Sequence, residues 1–317
     1  MMLRWRSVMS KAKNRERLPS STVQHPTSRL VRRGPRTVWL WLGGALAIAG
    51  ALSLLGILLL RADDPPVAAD DPGPVHVHGL AINPAGGGLY IATHTGLWRL
   101  PPGASVPERM GESRQDTMGF TVVGPDHFLG SGHPDNVDKP PLLGLIESND
   151  GGKRWDSISL LGEADFHVLR ADGSRVYGYD ITNNRLMFSR DGGRTWTERQ
   201  PPAAVLDAHA DPSNPDHVVA TTEQGLFRSE DTGATWERMG DAIGLLAWPE
   251  PGRLYLVTGG GDVLVSASGR AWRRLGTIGG QPAAFMANGD RDLYAALHEG
   301  AIVRSRDRGR TWVTITS

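Results

Sequence analysis

Histidine and carboxylate side chains are the residues of this sequence whose types and spacing most directly suggest chemistry. His76 and His78 are separated by a single residue. On a β-strand, residues two apart point to the same side, so this pair meets the requirement for chelation. Imidazole is the commonest metal ligand in proteins and changes its charge near neutral pH. The candidate metal-ligating residues are His76, His78, His94, Met118, His133, His167 and His298.

The donor types in this set indicate the class of metal. Imidazole together with carboxylate suits zinc and similar ions, whereas imidazole together with the thioether of Met118 suits copper. The sequence therefore predicts a transition-metal cofactor, copper or zinc. The alternative is that these side chains fill a hydrated channel and hydrogen-bond to nearby loops.

Carboxylates close to these histidines could instead act in catalysis. Most glycosidases use two carboxyl groups that flank the bond to be broken. The candidate catalytic residues are Asp116, Asp165 and Asp180, with Tyr179 as a candidate nucleophile beside Asp180. The sequence contains no cysteine, which excludes a Cys nucleophile and a zinc–thiolate site.

A repeated fold must position these residues, because the sequence repeats from Val75 onward. The motif Ser-x-Asp-x-Gly-x-x-Trp ends at Trp155, Trp196, Trp236 and Trp312, and a copy without the Asp ends at Trp272, so the spacings are 41, 40, 36 and 40. A fixed period of this size predicts an array of similar units of about four strands each. The units begin near residues 75, 116, 164, 203, 242 and 280, which makes six.

Each unit also contains a run of β-branched and aromatic residues bounded by turn residues. Tyr90, Tyr177, Tyr255 and Tyr294 occupy matching positions in these runs and are predicted to lie in the core. The sequence therefore predicts an all-β fold, a six-bladed β-propeller over residues 75–317. We expect the ring to close by pairing of residues 313–316 beside the first blade.

The repeated motif resembles the Asp-box (BNR) repeats of sialidase-like, glycosyl-hydrolase-like β-propellers. The resemblance covers residues 75–317 and is specific for the architecture but not for a function. It implies that Ser and Asp of the motif hold a turn while Trp packs between blades. Sialidases use an arginine triad, but here only Arg114 and Arg185 are suitably placed. The resemblance therefore implies another kind of glycosidase rather than a true sialidase.

The propeller architecture sorts the candidate residues by face. The start of each inner strand and the turn between the second and third strands lie on one face, whereas the repeated motif lies on the other. His127 and His217 are predicted on the motif face. The candidate ligands and carboxylates fall on the opposite face, in the sixth, first, second and third units, where they would converge at the mouth of the channel.

Charge and hydropathy divide the chain before the repeats. The 34 basic and 34 acidic residues cancel, but residues 1–61 hold 11 of the basic residues and a single acid, Glu16. Residues 38–60 carry no charge and are long enough for a membrane-spanning helix. The preceding basic excess predicts a cytoplasmic N-terminus and export of the rest. The alternative is a cleaved signal peptide with a small-residue site at 67–69.

These observations predict four segments: a basic cytoplasmic tail (1–37), a transmembrane helix (38–60), an Asp/Pro-rich linker (61–74) and the propeller (75–317). The excess of acidic residues after position 61 argues against a nucleic-acid partner. The function we expect is binding of a metal or small ligand at the channel mouth. The alternatives are a glycoside hydrolase that uses carboxylates on the same face, and a scaffold or assembly factor that binds a protein partner there.

Overall fold

Residues 71–316 are described by a computed structural model, and the regular elements within that range are β-strands. They form six antiparallel sheets, each built from four consecutive strands. The first strand of every sheet contributes to the lining of one central cavity. This arrangement confirms the predicted all-β, six-bladed propeller.

The first three blades contain β1 to β12. Blade 1 comprises β1 (Val77–Ile82), β2 (Leu89–Thr93), β3 (Gly96–Leu100) and β4 (Glu108–Arg109). Blade 2 comprises β5 (Asp116–Gly124), β6 (His127–His133), β7 (Leu145–Ser148) and β8 (Asp156–Ser159). Blade 3 comprises β9 (Phe166–Asp172), β10 (Arg175–Asp180), β11 (Arg185–Ser189) and β12 (Thr197–Arg199).

The remaining blades contain β13 to β24. Blade 4 comprises β13 (Val205–Asp211), β14 (Asn214–Thr222), β15 (Gly225–Ser229) and β16 (Glu237–Gly240). Blade 5 comprises β17 (Gly244–Glu250), β18 (Arg253–Thr258), β19 (Asp262–Ser266) and β20 (Arg273–Thr277). Blade 6 comprises β21 (Pro282–Asn288), β22 (Asp292–Leu297), β23 (Ile302–Ser305) and β24 (Val313–Thr314).

Apolar side chains between neighbouring blades form the core. Between blades 2 and 3, Leu129 and Leu145 of one sheet pack against Phe166 and Met187 of the next. Phe166 is fully buried, and complete burial of such a side chain stabilises the fold by about 1.5–3 kcal/mol. The four tyrosines predicted to lie in the core are buried as well. This packing holds the sheets of blades 2 and 3 against each other.

The ring closes through side-chain packing of blade 6 against blade 1. Leu80 and Ile91 of blade 1 share one apolar cluster with Tyr294 and Ile302 of blade 6. The last strand, β24, pairs with β23 of its own blade. The expectation that residues 313–316 pair beside the first blade was therefore wrong, because blade 6 completes its own four-stranded sheet and leaves closure to the apolar contacts.

The repeated motif forms hydrogen-bonded turns between the third and fourth strands of its blades. In blade 3, Oγ of Ser189 accepts a hydrogen bond from the N–H of Gly193 (2.8 Å) and donates one to Asp191 (2.7 Å). Gly193 has a φ of 85°, which a residue with a Cβ adopts only at a cost. The ring of Trp196 lies 5.2 Å from that of Phe166. These residues therefore have a structural role.

The predicted cytoplasmic tail, membrane span and most of the predicted linker lie outside the described residues. Within residues 71–316, no helix is long and apolar enough to cross a membrane.

Candidate functional site

Five of the six inner strands carry a β-bulge at the same place near their start. The extra, unpaired residues are His78, Met118, His167, Leu206 and Ala283. A bulge re-aims the side chain of the residue that it inserts. All five residues line the central cavity, which has a volume of about 460 Å³. The bulge therefore turns the side chains of His78 and His167 toward the channel.

Two further positions repeat around this bulge. The first position lies two residues before the bulge. The second lies at the end of the second strand of the same blade, opposite the first. The pairs are His76–His94, Asp116–His133, Asp165–Ile181, Ala204–Glu223 and Gln281–His298. The bulge position and these two positions comprise nine residues in blades 1 to 3. Eight of the nine have a side chain with a nitrogen, oxygen or sulfur ligand atom, and the exception is Ile181. Ligand-type side chains are thus concentrated in three consecutive blades.

Asp116 lies at the centre of the first group of contacts. It pairs in register with His133 across β5 and β6. Its Oδ1 lies 3.3 Å from Nε2 of His78, and its Oδ2 lies 2.8 Å from Nδ1 of His94 and 3.6 Å from Nδ1 of His133. Three imidazoles from two blades therefore surround one carboxylate.

Asp165 forms a second centre in blade 3. Its Oδ2 lies 3.0 Å from Nε2 of His167 and 3.5 Å from Nε2 of His133. The His133 ring thus faces Asp116 with one nitrogen and Asp165 with the other. We call His78, His94, Asp116, His133, Asp165 and His167 the mouth cluster.

Three buried atoms of the mouth cluster make no hydrogen bond of normal geometry among residues 71–316: Nε2 of His78, Oδ1 of Asp116 and Oδ1 of Asp165. The first two face each other at 3.3 Å as an ion pair, which leaves Oδ1 of Asp165 as the atom with no partner among these residues. A buried polar atom without a partner carries a desolvation penalty of about 1–3 kcal/mol. A bound cation would satisfy such atoms, because imidazole nitrogen and carboxylate oxygen are both metal ligands.

The electrostatics of the cluster favour an ionised carboxylate at Asp116 and a protonated imidazole at His133. Burial alone would raise the pKa of Asp116, but the contacts with His133 and His78 and the nearby His94 outweigh burial and hold this pKa well below its usual range. The contact with Asp116 in turn raises the pKa of His133, against burial and with help from Asp165. The site therefore presents anionic carboxylate to any cation at the channel mouth.

One subset of the cluster has the spacing of a metal site. Ligand atoms of His78, His94 and Asp116 lie within 4.8 Å of one another. Zinc binds nitrogen and oxygen at about 2.0–2.2 Å, so two donors on one tetrahedral ion are about 3.4 Å apart. These side chains would therefore have to move by about an ångström to hold one ion.

The other three predicted ligands are placed differently. His76 precedes β1 with a φ of 52°, is exposed, and places its ring 6.1 Å from the ring of His94. It does not lie on a regular strand with His78, so the predicted same-strand pair was wrong. Met118 lies at the bulge of β5 and lines the cavity, and His298 lies in an exposed turn after β22. Neither takes part in the ion pairs of the mouth cluster.

Like Asp165, two other catalytic candidates are buried. Asp180 is fully buried, and its oxygens accept hydrogen bonds from the N–H of Asp165 (3.1 Å) and from Nε of Arg185 (2.8 Å). The hydroxyl of Tyr179 donates to Asn184, and burial raises its pKa. These placements leave neither residue open to a substrate, and they assign Asp180 to positioning Asp165.

A charged network farther along the channel was not identified from the sequence. Arg170 donates hydrogen bonds to Asp207 (2.8 Å) and to Nε2 of His209 (3.0 Å), and these three residues line the central cavity. Burial raises the pKa of Asp207, whereas burial and the charge of Arg170 hold the pKa of His209 well below its usual range. The available signal was the charge of Arg170 inside an inner strand, at a position where blades 1 and 5 have alanine.

Known proteins resemble this chain in part. No protein-family model matches it. The chain is 27% identical over 126 residues to the dispase autolysis-inducing protein of Streptomyces mobaraensis and 25% identical over 198 residues to a xyloglucanase of a Paenibacillus species. These matches cover 39% and 58% of this chain, but only 31% and 18% of the two relatives.

Solved structures share the fold. A GH74 xyloglucanase from Xanthomonas campestris superposes with a TM-score of 0.52 at 18% identity, over 76% of this chain and 45% of that one. The structure titled YCF48 bound to D1 peptide gives 0.50 at 16% identity, over 80% and 88%. A nidogen/laminin complex gives 0.59 at 12% identity, over 73% and 93%. At such identities the likeness establishes the propeller architecture.

Proposed function

We propose that this protein binds a divalent transition-metal ion at the mouth of its central channel. The observation that carries the proposal is the spacing of ligand atoms of His78, His94 and Asp116, which lie within 4.8 Å of one another at the channel mouth. The carboxylate of Asp116 would balance the charge of a cation held among these atoms. Zinc and copper both accept imidazole and carboxylate ligands, so either ion fits this donor set.

The test is a zinc or copper titration of the purified full-length chain after treatment with a chelator. We expect saturable binding that weakens in His78→Ala. The loss of affinity should exceed the roughly 10–100-fold that is typical when a residue that hydrogen-bonds to a metal ligand is substituted. His127→Ala is the matched control, because His127 also faces a carboxylate, Glu147 at 3.3 Å, but lies on the opposite face. Equal affinities for the wild type and both variants would refute the proposal.

Hydrolysis of a glycan is the second candidate function. Asp116 and Asp165 are both at the channel mouth, and His133 lies between them. The 25% identity to a xyloglucanase supports this candidate. Turnover of xyloglucan oligosaccharides or aryl glycosides by the wild type, lost in Asp116→Asn, would support it. Absence of turnover by the metal-loaded protein would count against it.

Binding of a protein partner is the third candidate. Apolar side chains are exposed on the face that carries the mouth cluster, in blades 2 to 4: Val137, Leu161, Ile181 and Leu206. Exposed apolar side chains of this kind are typical of surfaces that bind another protein. Capture of a partner by the wild type but not by Ile181→Asp and Leu206→Asp variants, in the presence of chelator, would support a metal-independent scaffold.

Export and membrane anchoring are part of the same proposal. The uncharged residues 38–60 and the basic excess before them support a single membrane-spanning helix with the N-terminus in the cytoplasm. An anchored protein stays in the membrane pellet after alkaline extraction and is degraded by protease from outside. A protein recovered in the soluble fraction at a size lacking the first 69 residues would instead indicate cleavage.

A further inference from the structure

We infer that a pocket between blades 5 and 6 binds a phosphate group. The pocket has a volume of about 330 Å³, and small-molecule sites have volumes of about 300–1,000 Å³. It lies on the face of the repeated motif, opposite the mouth cluster, so the inference is independent of the proposed metal site. Four arginines line it: Arg253, Arg273, Arg308 and Arg310.

The charge of this pocket suits a dianion. Nε of Arg253 and a terminal nitrogen of Arg308 lie 2.8 and 2.6 Å from carboxylate oxygens, so these two charges are balanced. Arg273 and Arg310 have no carboxylate partner among residues 71–316. Two guanidinium charges therefore remain uncompensated, and a phosphate ester carries a charge of about −1.5 to −2 near neutral pH.

A buried hydroxyl in the pocket lacks an acceptor. Tyr255 lines the pocket and is 1% exposed, and its hydroxyl makes no hydrogen bond of normal geometry within the described part of the chain. Burial raises the pKa of this hydroxyl, against the contact with Arg253 and the charge of Arg308. A guanidinium can only donate hydrogen bonds, so these neighbours offer the Tyr255 proton no acceptor. A phosphate oxygen would accept a hydrogen bond from the hydroxyl and from the arginines.

Blade 5 also lacks a carboxylate that other blades place in the turn of the repeated motif. In blade 3, Asp191 accepts hydrogen bonds from the N–H groups of Arg194 (3.0 Å) and Thr195 (2.9 Å). Blade 5 has Ser268 in place of this Asp. The N–H of Ala271, which corresponds to that of Thr195 and belongs to a residue that lines the pocket, has no carboxylate acceptor among residues 71–316. A phosphate beside this turn would take the place of the missing carboxylate.

Arg308 occupies a backbone position that favours glycine. Its φ is 65°, and the equivalent residues of blades 2, 3 and 4 also have a positive φ: Gly151, Gly192 and Thr232. A residue with a Cβ adopts this left-handed conformation at a cost, and backbone strain of this kind is concentrated at functional sites. Substitution of Arg308 by glycine would therefore remove the charge and relieve the strain together.

The test is calorimetric titration of the full-length chain, in phosphatidylcholine nanodiscs and after chelator treatment, with inorganic phosphate. We expect saturable binding that weakens by about tenfold or more in Arg310→Ala and in Tyr255→Phe, because each variant removes a hydrogen bond to a charged group. Arg308→Gly should lose a similar factor while its stability stays close to that of the wild type. Arg306→Ala is the matched control, since Arg306 is exposed in the same turn but does not line the pocket.

Absence of saturable phosphate binding by the wild type would overturn the inference, and so would equal affinities of the wild type, Arg310→Ala and Tyr255→Phe. Neither result affects the proposed metal site, because the chelator-treated protein holds no metal. A second titration distinguishes the sources of the phosphate group. A lower affinity in nanodiscs that contain phosphatidic acid would make a lipid headgroup the occupant, whereas an unchanged affinity would make it a soluble phosphate or phosphate ester.

Discussion

The N–H of Asp165 donates a hydrogen bond to Oδ1 of Asp180 at 3.1 Å, so a fully buried carboxylate orients the backbone that carries a mouth-cluster carboxylate. Asp180 is held in turn by Arg185, whose Nε lies 2.8 Å from its Oδ2. The two acidic residues thus have separate roles. Asp165 faces the cluster, and Asp180 fixes its position.

Removal of the Asp180 carboxylate should destabilise the protein. Breaking a buried ion pair leaves its partner uncompensated, and we expect Asp180→Ala to lower the free energy of unfolding by about 3 kcal/mol, measured by urea denaturation. Glu198→Ala is the matched control, because Glu198 pairs with the same Arg185 but is 60% exposed. Such surface pairs contribute less than about 1 kcal/mol. Equal losses in both variants would contradict the role assigned to Asp180.

Gly132 should resist substitution because it underlies the contact between Asp116 and His133. Its φ is 138°, and a Cβ there would lie 2.0 Å from the backbone oxygen of Asp116. Overpacking costs about 1–3 kcal/mol and the strained backbone adds to this, so Gly132→Ala should lose more than about 2 kcal/mol of stability and weaken metal binding. Gly173→Ala is the control, since Gly173 also has a positive φ but open space around it. Similar stability and affinity in both variants would argue against this role.

Ring closure by apolar packing predicts a large effect at Ile302. This side chain is buried in the cluster that joins blade 6 to blade 1, and truncation of such a residue costs about 2–5 kcal/mol. Ile302→Ala should therefore lower the melting temperature markedly. Val313→Ala, in the exposed last strand, should change stability by no more than about 0.5 kcal/mol. The reverse order would indicate that β24 closes the ring.

Acid should weaken the turns of the repeated motif. The side chain and N–H of Thr235, together with Ser229, lower the pKa of Asp231 to about 2. A carboxyl whose pKa is lower in the folded state stabilises the fold above its unfolded pKa of about 3.9, and this contribution is lost as the pH falls. The difference in unfolding free energy between the wild type and Asp231→Asn should therefore shrink from pH 4 to pH 2. A constant difference across that range would show that the charge does not stabilise the turn.

The fold could be predicted because its signal is repeated. Five tryptophans near a 40-residue period and matching tyrosines locate the blades without reference to any single contact. The way in which the ring of blades closes could not be predicted from the repeat. Whether Val313 and Thr314 pair with the first or the last blade depends on packing between residues far apart in the chain, such as Leu80 and Ile302.

The sequence predicted the face on which the candidate side chains lie but not their register. Asp180 was placed on the same face as His94 and His133, whereas the residue equivalent to them in blade 3 is Ile181. A shift of one residue on a strand sends the side chain to the other side of the sheet, which is why Asp180 is buried. The bulge at His78 likewise interrupts the alternation of side chains between the two faces of the sheet, and no residue pattern in the sequence predicts this bulge.

The most direct test of the metal-binding account is anomalous diffraction at the zinc edge from crystals of the metal-loaded protein. The account predicts a peak within about 2.0–2.2 Å of Nε2 of His78 and Oδ1 of Asp116. Metal density confined to other surfaces, such as His127, with an unoccupied mouth cluster at full loading, would contradict the account.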